Sequence, residues 1–117
     1  MPRKSPHDLR TLQARSADLG REFAATARRT GRKPWTREEI AQGFVVDVGD
    51  LMRLVMAKAG RREVKDVDRK LGHELADCLW SILVLADAYG VDLEKEFDRM
   101  VAEVGRKLAR SRFKRRG

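Results

Sequence analysis

The chain has 117 residues, of which 42% are apolar and 38% are charged, and its formal net charge is +8. This length suffices for one domain with a modest core, and the composition favours helices with solvated faces. A single cysteine, Cys78, excludes an intramolecular disulfide, and no apolar run approaches the roughly 20 residues of a membrane span. No apolar segment follows the basic N-terminus, so we expect no secretory signal and a cytoplasmic protein.

The charge is unevenly distributed along the chain. Residues 1–35 contain nine basic and three acidic residues, residues 36–96 contain nine and thirteen, and residues 97–117 contain eight and two. An acidic centre therefore lies between two basic ends. This distribution suits a metal site that attracts a polyphosphate. It also suits a protein that associates loosely with nucleic acid.

The first two helices are predicted over about residues 6–30 and 37–59. Ser5 suits the N-cap of the first helix, and Asp8 would complete a capping box three residues later. The second helix has its own capping box at Thr36 and Glu39, with acids in the first turn where the helix dipole favours them. Gly60 suits the position just past its end.

The third and fourth helices are predicted over about residues 68–89 and 93–111, followed by a basic, frayed tail at about 111–117. Asp66 or Asp68 can cap the third helix, and Asp92 the fourth. The third helix is apolar on nearly all sides, and so short a chain offers little to cover both. We therefore expect a homodimer with this helix near the interface. The core candidates of the fourth helix are Leu93, Phe97, Met100, Val101, Val104 and Leu108.

The predicted fold class is all-α, a single four-helix bundle over residues 1–117, because every predicted loop is short and no segment has the period of a strand. On the main face of the third helix we expect Leu71, Leu75, Cys78, Leu79, Ile82 and Ala86. On its far side we expect Trp80, Leu83 and Val84.

Two pairs of carboxylates lie on the second and third helices. Asp47 and Asp50 form one pair, and Glu74 and Asp77 form the other. Acids three residues apart project from one face of a helix. Both pairs lie among apolar residues, where a charge is costly unless it is paired or bound to a metal. Four carboxylates from two packed helices would make an oxygen cage for Mg²⁺. The alternative is that they form ion pairs with nearby basic residues, namely Arg53, Lys58 or Lys70.

Four short segments carry a pattern that spans about residues 35–100. They are Trp35-Thr-Arg-Glu-Glu-Ile, Val46-Asp-Val-Gly-Asp-Leu, Glu74-Leu-Ala-Asp77 and Tyr89-Gly-Val-Asp-Leu-Glu94. Together they resemble the MazG-like, all-α nucleoside triphosphate pyrophosphohydrolases. The signature of that family is Glu-Glu-x-x-Glu, a variable gap, and Glu-x-x-Asp. The second half matches, whereas the first half has Val46 in place of the outer Glu and aspartates at the other two positions.

The resemblance implies a dimeric or tetrameric helical enzyme. Such an enzyme hydrolyses nucleoside triphosphates or their deoxy forms to the monophosphate and pyrophosphate, with Mg²⁺ or alternatively Mn²⁺. By position, Asp47, Asp50, Glu74 and Asp77 would be the metal ligands and the catalytic acids. The aspartates are one methylene shorter than the family's glutamates, and Val46 cannot orient a water molecule.

Further candidates would bind the substrate. Lys70, Lys58 and Arg62 could hold phosphates, although each could instead be a solvated surface residue. Trp35 could stack on a base or could fill the core. Gly43 lies on the stripe of Asp47 and Asp50, where a missing side chain leaves room for a ligand or for close helix packing. The other candidates, His7, His73 and Cys78, are assigned no chemistry, and Cys78 is expected to be a small apolar core residue.

Three functions follow in order of preference. The first is an Mg²⁺-dependent nucleoside triphosphate pyrophosphohydrolase. The second is a nucleotide-binding protein of the same fold with weakened turnover, which the changes at Val46, Asp47 and Asp50 suggest. The third is a basic helical protein that associates with nucleic acid, although no helix-turn-helix spacing or aromatic RNA-binding motif supports it. The composition indicates no membrane partner.

Overall fold

The computed structural model describes residues 7–116, with their side chains as far as residue 114. These residues form four α-helices and no strand: α1 (Leu9–Arg29), α2 (Arg37–Lys58), α3 (Val67–Ala88) and α4 (Leu93–Arg116). The predicted all-α, bundle-like fold is therefore confirmed. Across the described part of the chain, no helix has both the length and the apolar character needed to cross a membrane.

Helix ends agree with the prediction where a local capping signal was present. At the start of α2, Glu39 N donates to Thr36 Oγ1 at 3.2 Å and Thr36 N donates to Glu39 Oε1 at 3.1 Å, which forms the predicted capping box. At the start of α4, Lys95 N donates to Asp92 Oδ1 at 3.2 Å. Gly60 follows α2 with φ +79°, a conformation that glycine adopts without steric cost.

Three helix ends differ from the prediction. α1 begins at Leu9, because Asp8 is itself the N-cap and accepts from Thr11 N at 2.7 Å. The predicted start at residue 6 with Ser5 as cap lies outside the described residues. Asp66 occupies the N-cap of α3 with φ +54°, and its side chain makes no capping hydrogen bond. α4 continues to residue 116, so the predicted frayed tail is helical, and its basic residues lie where the helix dipole favours cations.

The packing centres on α3, which lies against α2 and against α1. The core is small, and among residues 7–114 only Leu54 is almost completely buried, with 1% of its surface exposed. Burial along α3 does not follow the division into a main face and a far side. Leu83 and Val84, on the far side, are buried, and Val84 Cγ1 lies close to Gly20 of α1. On the predicted main face, Cys78 and Ala86 are buried but Leu75, Leu79 and Ile82 are exposed.

The fourth helix lies apart from this core. Its main neighbour is α1, and the contact is confined to the start of α4. Five of its six predicted core residues are exposed in the single chain, and Leu93 alone is half-buried. The prediction that α4 packs into the core of its own chain is therefore wrong, because the helix is fastened only at its first turn.

Candidate metal centre

The two predicted acid pairs converge where α2 and α3 pack together. One carboxylate oxygen from each of Asp47, Asp50 and Glu74 lies within 4.8 Å of the other two. A second group, formed by His73, Glu74 and Asp77, has ligand atoms within the same distance of one another. Glu74 belongs to both groups and joins them into one acidic cluster. This convergence follows from i,i+3 spacing on two helices whose acid-bearing faces meet.

Like charges at this separation disfavour one another's ionisation. Removal from water raises the pKa of Asp47, and the charges of Asp77 and Asp50 raise it further. Removal from water also raises the pKa of Glu74, with smaller contributions in the same direction from Asp77, Asp50 and Asp47. Among the contributions to these two pKa values, only the charge of His73 lowers them. The cluster is therefore an unfavourable arrangement that a proton or a cation would relieve.

One oxygen of the cluster has no partner at all. Glu74 Oε2 is shielded from solvent and accepts no hydrogen bond. A buried carboxylate oxygen without a partner is costly. The orphaned oxygen and the crowded carboxylates around it are a donor set of the kind that binds a hard divalent cation.

The ion-pair alternative is not what the structure contains. Within residues 7–114, no lysine or arginine side chain lies within ion-pair distance of the four acids. Lys58 Nζ instead lies 2.6 Å from Asp68 Oδ1, where it links the end of α2 to the start of α3. Arg53 and Lys70 are exposed. The charge of the cluster is therefore left uncompensated by the basic residues that the alternative named.

His73 is a member of the site that sequence reasoning missed. Its Nε2 lies 3.1 Å from Asp77 Oδ2, one helical turn away. The i,i+4 spacing of the two residues on a predicted helix was the available signal. This contact places the His73 imidazole beside the Asp77 carboxylate at the edge of the cluster.

Cys78 lies next to the cluster, but its thiol is unreactive. It is buried, and both its removal from water and the neighbouring charges of Asp47, Glu74 and Asp77 raise the pKa of its thiol. The group therefore stays protonated at neutral pH and behaves as a small apolar residue, as predicted.

A cavity of about 590 Å³ adjoins the cluster. This volume is in the range of small-molecule sites. Asp47 belongs to both the cavity wall and the acidic cluster, so the two share a boundary. Three aromatic rings and two basic residues are among the side chains that line the cavity. These residues are Phe23, Trp35 and Trp80, with Arg32 and Lys33. The basic pair was missed because the sequence indicated only a helix break at residues 31–34.

Trp35 lies at the edge of this cavity, directly over Gly43. A Cβ atom added to Gly43 would lie 2.9 Å from Cζ3 of the Trp35 ring. Gly43 therefore packs closely against this ring, which lies outside the helices, and it also lines the cavity, so room for a ligand at this position stays a prediction. Trp35 does not fill the core, because 65% of its surface is exposed. Trp80, opposite in the lining, packs edge-on against Phe23 and has a buried Nε1 without a partner.

The remaining predicted substrate residues are dispersed. Lys70 is exposed on α3, one turn before Glu74. Arg62 lines a separate pocket in the connection between α2 and α3 and is not part of the cavity wall. Of the four residues predicted to bind substrate, only Trp35 lines the cavity that Asp47 borders.

No protein-family model, curated protein or solved structure matches the chain. Fold and site alone define its class: an all-α protein with an acidic cluster at a helix–helix junction, next to a cavity whose lining includes three aromatic rings.

Proposed function

We propose that the chain is an Mg²⁺-dependent nucleoside triphosphate pyrophosphohydrolase with a MazG-like bundle. It would convert ribo- or deoxyribonucleoside triphosphates to monophosphates and pyrophosphate. One observation carries the proposal: an uncompensated cluster of carboxylates shares Asp47 with the wall of a cavity whose lining includes aromatic rings. The carboxylate cluster suits a divalent cation, and the cavity suits a nucleoside. A nucleotide–metal complex requires these two sites side by side.

The four acids would divide the work of holding the ion. Asp47, Asp50 and Glu74 each offer one oxygen to a common point, and Glu74 Oε2 has no competing hydrogen bond. His73 lies beside Asp77 at the other end of the cluster. When bound there, Mg²⁺ supplies neutralisation of phosphate charge and a lowered pKa of a coordinated water. Mn²⁺, with similar oxygen preferences, is the alternative ion.

The cavity would hold the nucleoside. Trp35 presents a largely exposed ring on which a base can stack, and stacking is tolerant of base identity. The buried Nε1 of Trp80 is a free donor in the same lining. Arg32 and Lys33 bring positive charge to the wall, and Lys70 lies one turn from Glu74, so these three residues are the candidates for phosphate contacts. Lys58 is a weaker candidate because Asp68 already holds its ammonium group.

Pyrophosphate release from a panel of nucleoside triphosphates tests the activity, with Mg²⁺, Mn²⁺ or a chelator present. We expect metal-dependent release by the wild type and a loss of about 100-fold in Asp77→Asn, since a misplaced ligand has effects of that order. Asp87→Asn is the matched control, because it makes the same chemical change at an exposed position of α3. A wild type that is silent with every nucleotide and both ions would contradict the enzymatic proposal.

A nucleotide-binding protein without turnover is the second candidate. Val46, at the position of the family's outer glutamate, is 64% exposed and belongs to the cavity wall. A methyl group there cannot orient a water molecule. If nucleotide with Mg²⁺ raises the Tm of the chain while no pyrophosphate appears, this second function is the correct one.

The proposed enzyme would be a cytoplasmic homodimer or tetramer. The exposed apolar residues of α3, Leu75, Leu79 and Ile82, support an interface on that helix.

A further inference from the structure

The fourth helix is almost entirely without tertiary contacts. Every residue from Lys95 to Lys114 is exposed. Five large apolar side chains in this stretch have between 47% and 58% of their surface exposed, namely Phe97, Met100, Val101, Val104 and Leu108. Most helical stability in proteins comes from packing of an apolar face, so a helix of this kind needs a partner.

The accessible surface of the chain is larger than that of a compact monomer of its mass. The accessible surface is 9775 Å², whereas a folded monomer of 13.4 kDa exposes about 6,500 Å². The radius of gyration is 18.7 Å, against about 13 Å for a compact domain of this length. The excess surface is larger than the about 800 Å² that each partner contributes to a standard interface. The excess is therefore more than enough for a standard interface with a second copy of the chain.

The fourth helix contacts α1 at its start. Arg10 of α1 lies 3.0 Å from Asp92 Oδ2 and 3.1 Å from Glu94 Oε2. Gln13 Nε2 donates to Val91 O at 2.9 Å, and Gln13 Oε1 accepts from Leu93 N at 3.4 Å. These contacts join α1 to the start of α4, and the rest of α4 lies exposed.

The apolar stripe of α4 has the spacing of a helix pair. Phe97, Val101, Val104 and Leu108 follow one another by four, three and four residues, as the inner positions of a coiled coil do. The first half of α4 is acidic, with Glu94, Glu96, Asp98 and Glu103 against two basic residues. The second half, as far as Lys114, has five basic residues and no acid. A parallel pair would place the basic halves together, whereas an antiparallel pair places each acidic half against a basic half.

We propose that two copies of the chain associate through an antiparallel pair of α4 helices, with Val101 of each copy opposite Val104 of the other. The pair is centred between residues 102 and 103, and its two-fold symmetry makes the interface self-complementary. This assembly does not depend on nucleotide chemistry. In this assembly the homodimer interface is formed by α4 and not by the exposed face of α3.

Single cysteines test the pairing and its direction, in a Cys78→Ala background bridged by oxidation or by a short bismaleimide linker. At 1.5 Å rise per residue, position 101 lies about 4.5 Å along the axis from its own copy, whereas positions 97 and 108 lie about 16 Å from theirs. We expect Val101→Cys and Val104→Cys to give covalent dimers, and Phe97→Cys and Leu108→Cys to stay uncrosslinked. Bridging at all four positions would overturn the antiparallel direction.

Light scattering with size-exclusion chromatography tests the same surface without cysteines. Val101→Asp should weaken the dimer at least about 100-fold, since it buries two unpaired charges per assembly. Ala102→Asp is the matched control on the neighbouring, outward face of α4 and should leave the dimer intact. A dimer that survives Val101→Asp and dissociates with Leu79→Asp would overturn the α4 pairing but retain an interface on α3. A wild type that is monomeric at micromolar concentration would overturn any homodimer, and the pyrophosphate assay would still decide the proposed activity separately.

Discussion

Replacement of Glu74 by glutamine is expected to stabilise the metal-free protein. The substitution keeps the shape of the side chain and removes a charge that lies within 4.8 Å of the carboxylates of Asp47 and Asp50. At that distance a pair of like charges costs about 0.9 kcal/mol in water and about 3.5 kcal/mol at an effective dielectric constant of 20. The three side chains are half-buried, and partial protonation already relieves part of the repulsion. We therefore expect a gain of about 1–3 kcal/mol in the free energy of unfolding.

Thermal unfolding followed by circular dichroism measures this gain. For a chain of this size each kcal/mol raises Tm by roughly 4 °C, so Glu74→Gln should unfold several degrees above the wild type in the presence of a chelator. All melts are compared at one protein concentration, because association shifts Tm. Glu22→Gln is the matched control. It makes the same change in net charge at an exposed position of α1 and should leave Tm unchanged.

Magnesium should raise the Tm of the wild type relative to that of Glu74→Gln, which is the opposite of the order expected in chelator. A cation bound by the cluster stabilises the wild type in proportion to its occupancy, and the glutamine variant has lost one charged ligand. Millimolar Mg²⁺ should therefore raise the Tm of the wild type more than that of Glu74→Gln. The reasoning is refuted if Glu74→Gln melts below the wild type in chelator, as it would if hydrogen bonds stabilised the carboxylate. It is also refuted if Mg²⁺ shifts both proteins equally.

Two further outcomes follow from the same geometry. Folding raises the pKa values of Asp47 and Glu74. At a pH between the ordinary and the raised values, the folded protein therefore binds more protons than the unfolded chain. The metal-free wild type should therefore lose stability relative to Glu74→Gln as pH rises through that window, and denaturant unfolding at a series of pH values measures the difference. A constant difference would contradict the raised pKa values. Gly43→Ala places a methyl group 2.9 Å from the Trp35 ring and must displace it. The tryptophan emission should shift and nucleotide affinity should fall, whereas Gly49→Ala, where an added Cβ meets nothing within 4 Å, should leave both unchanged.

Local signals in the sequence explain which parts of the fold were predictable. The capping box at Thr36 and Glu39 and the glycine after α2 involve residues within one turn of each other, so the sequence alone determines them. The acid pairs were predictable because their spacing fixes one face of each helix, and the meeting of two adjacent helices brings those faces together. His73 was missed because a histidine at i,i+4 from an acid is also common on exposed helix surfaces.

Helical periodicity could not determine which neighbour covers each face. It gives the angle of every side chain of α3 but not which apolar side is covered, and Leu83 and Val84 are buried whereas Leu79 and Ile82 are exposed. The same ambiguity affects α4, whose apolar stripe was assigned to the core of its own chain. The contacts that the start of α4 makes come from Arg10 and Gln13, which are distant from it in sequence, so no local pattern could indicate them.

The position of the acidic cluster has a consequence for how the protein would bind its ion. α2 and α3 form the most extensive helix contact in the structure, with Leu54 of α2 almost completely buried. The ion pair between Lys58 and Asp68 further links the end of α2 to the start of α3. We expect this packing on the same two helices to offset the repulsion among the acids. In a site that is assembled before the ion binds, the repulsion among the carboxylates already lowers the stability of the empty protein. Binding then relieves that repulsion, so removing one acid should reduce affinity for the ion while it increases the stability of the empty protein.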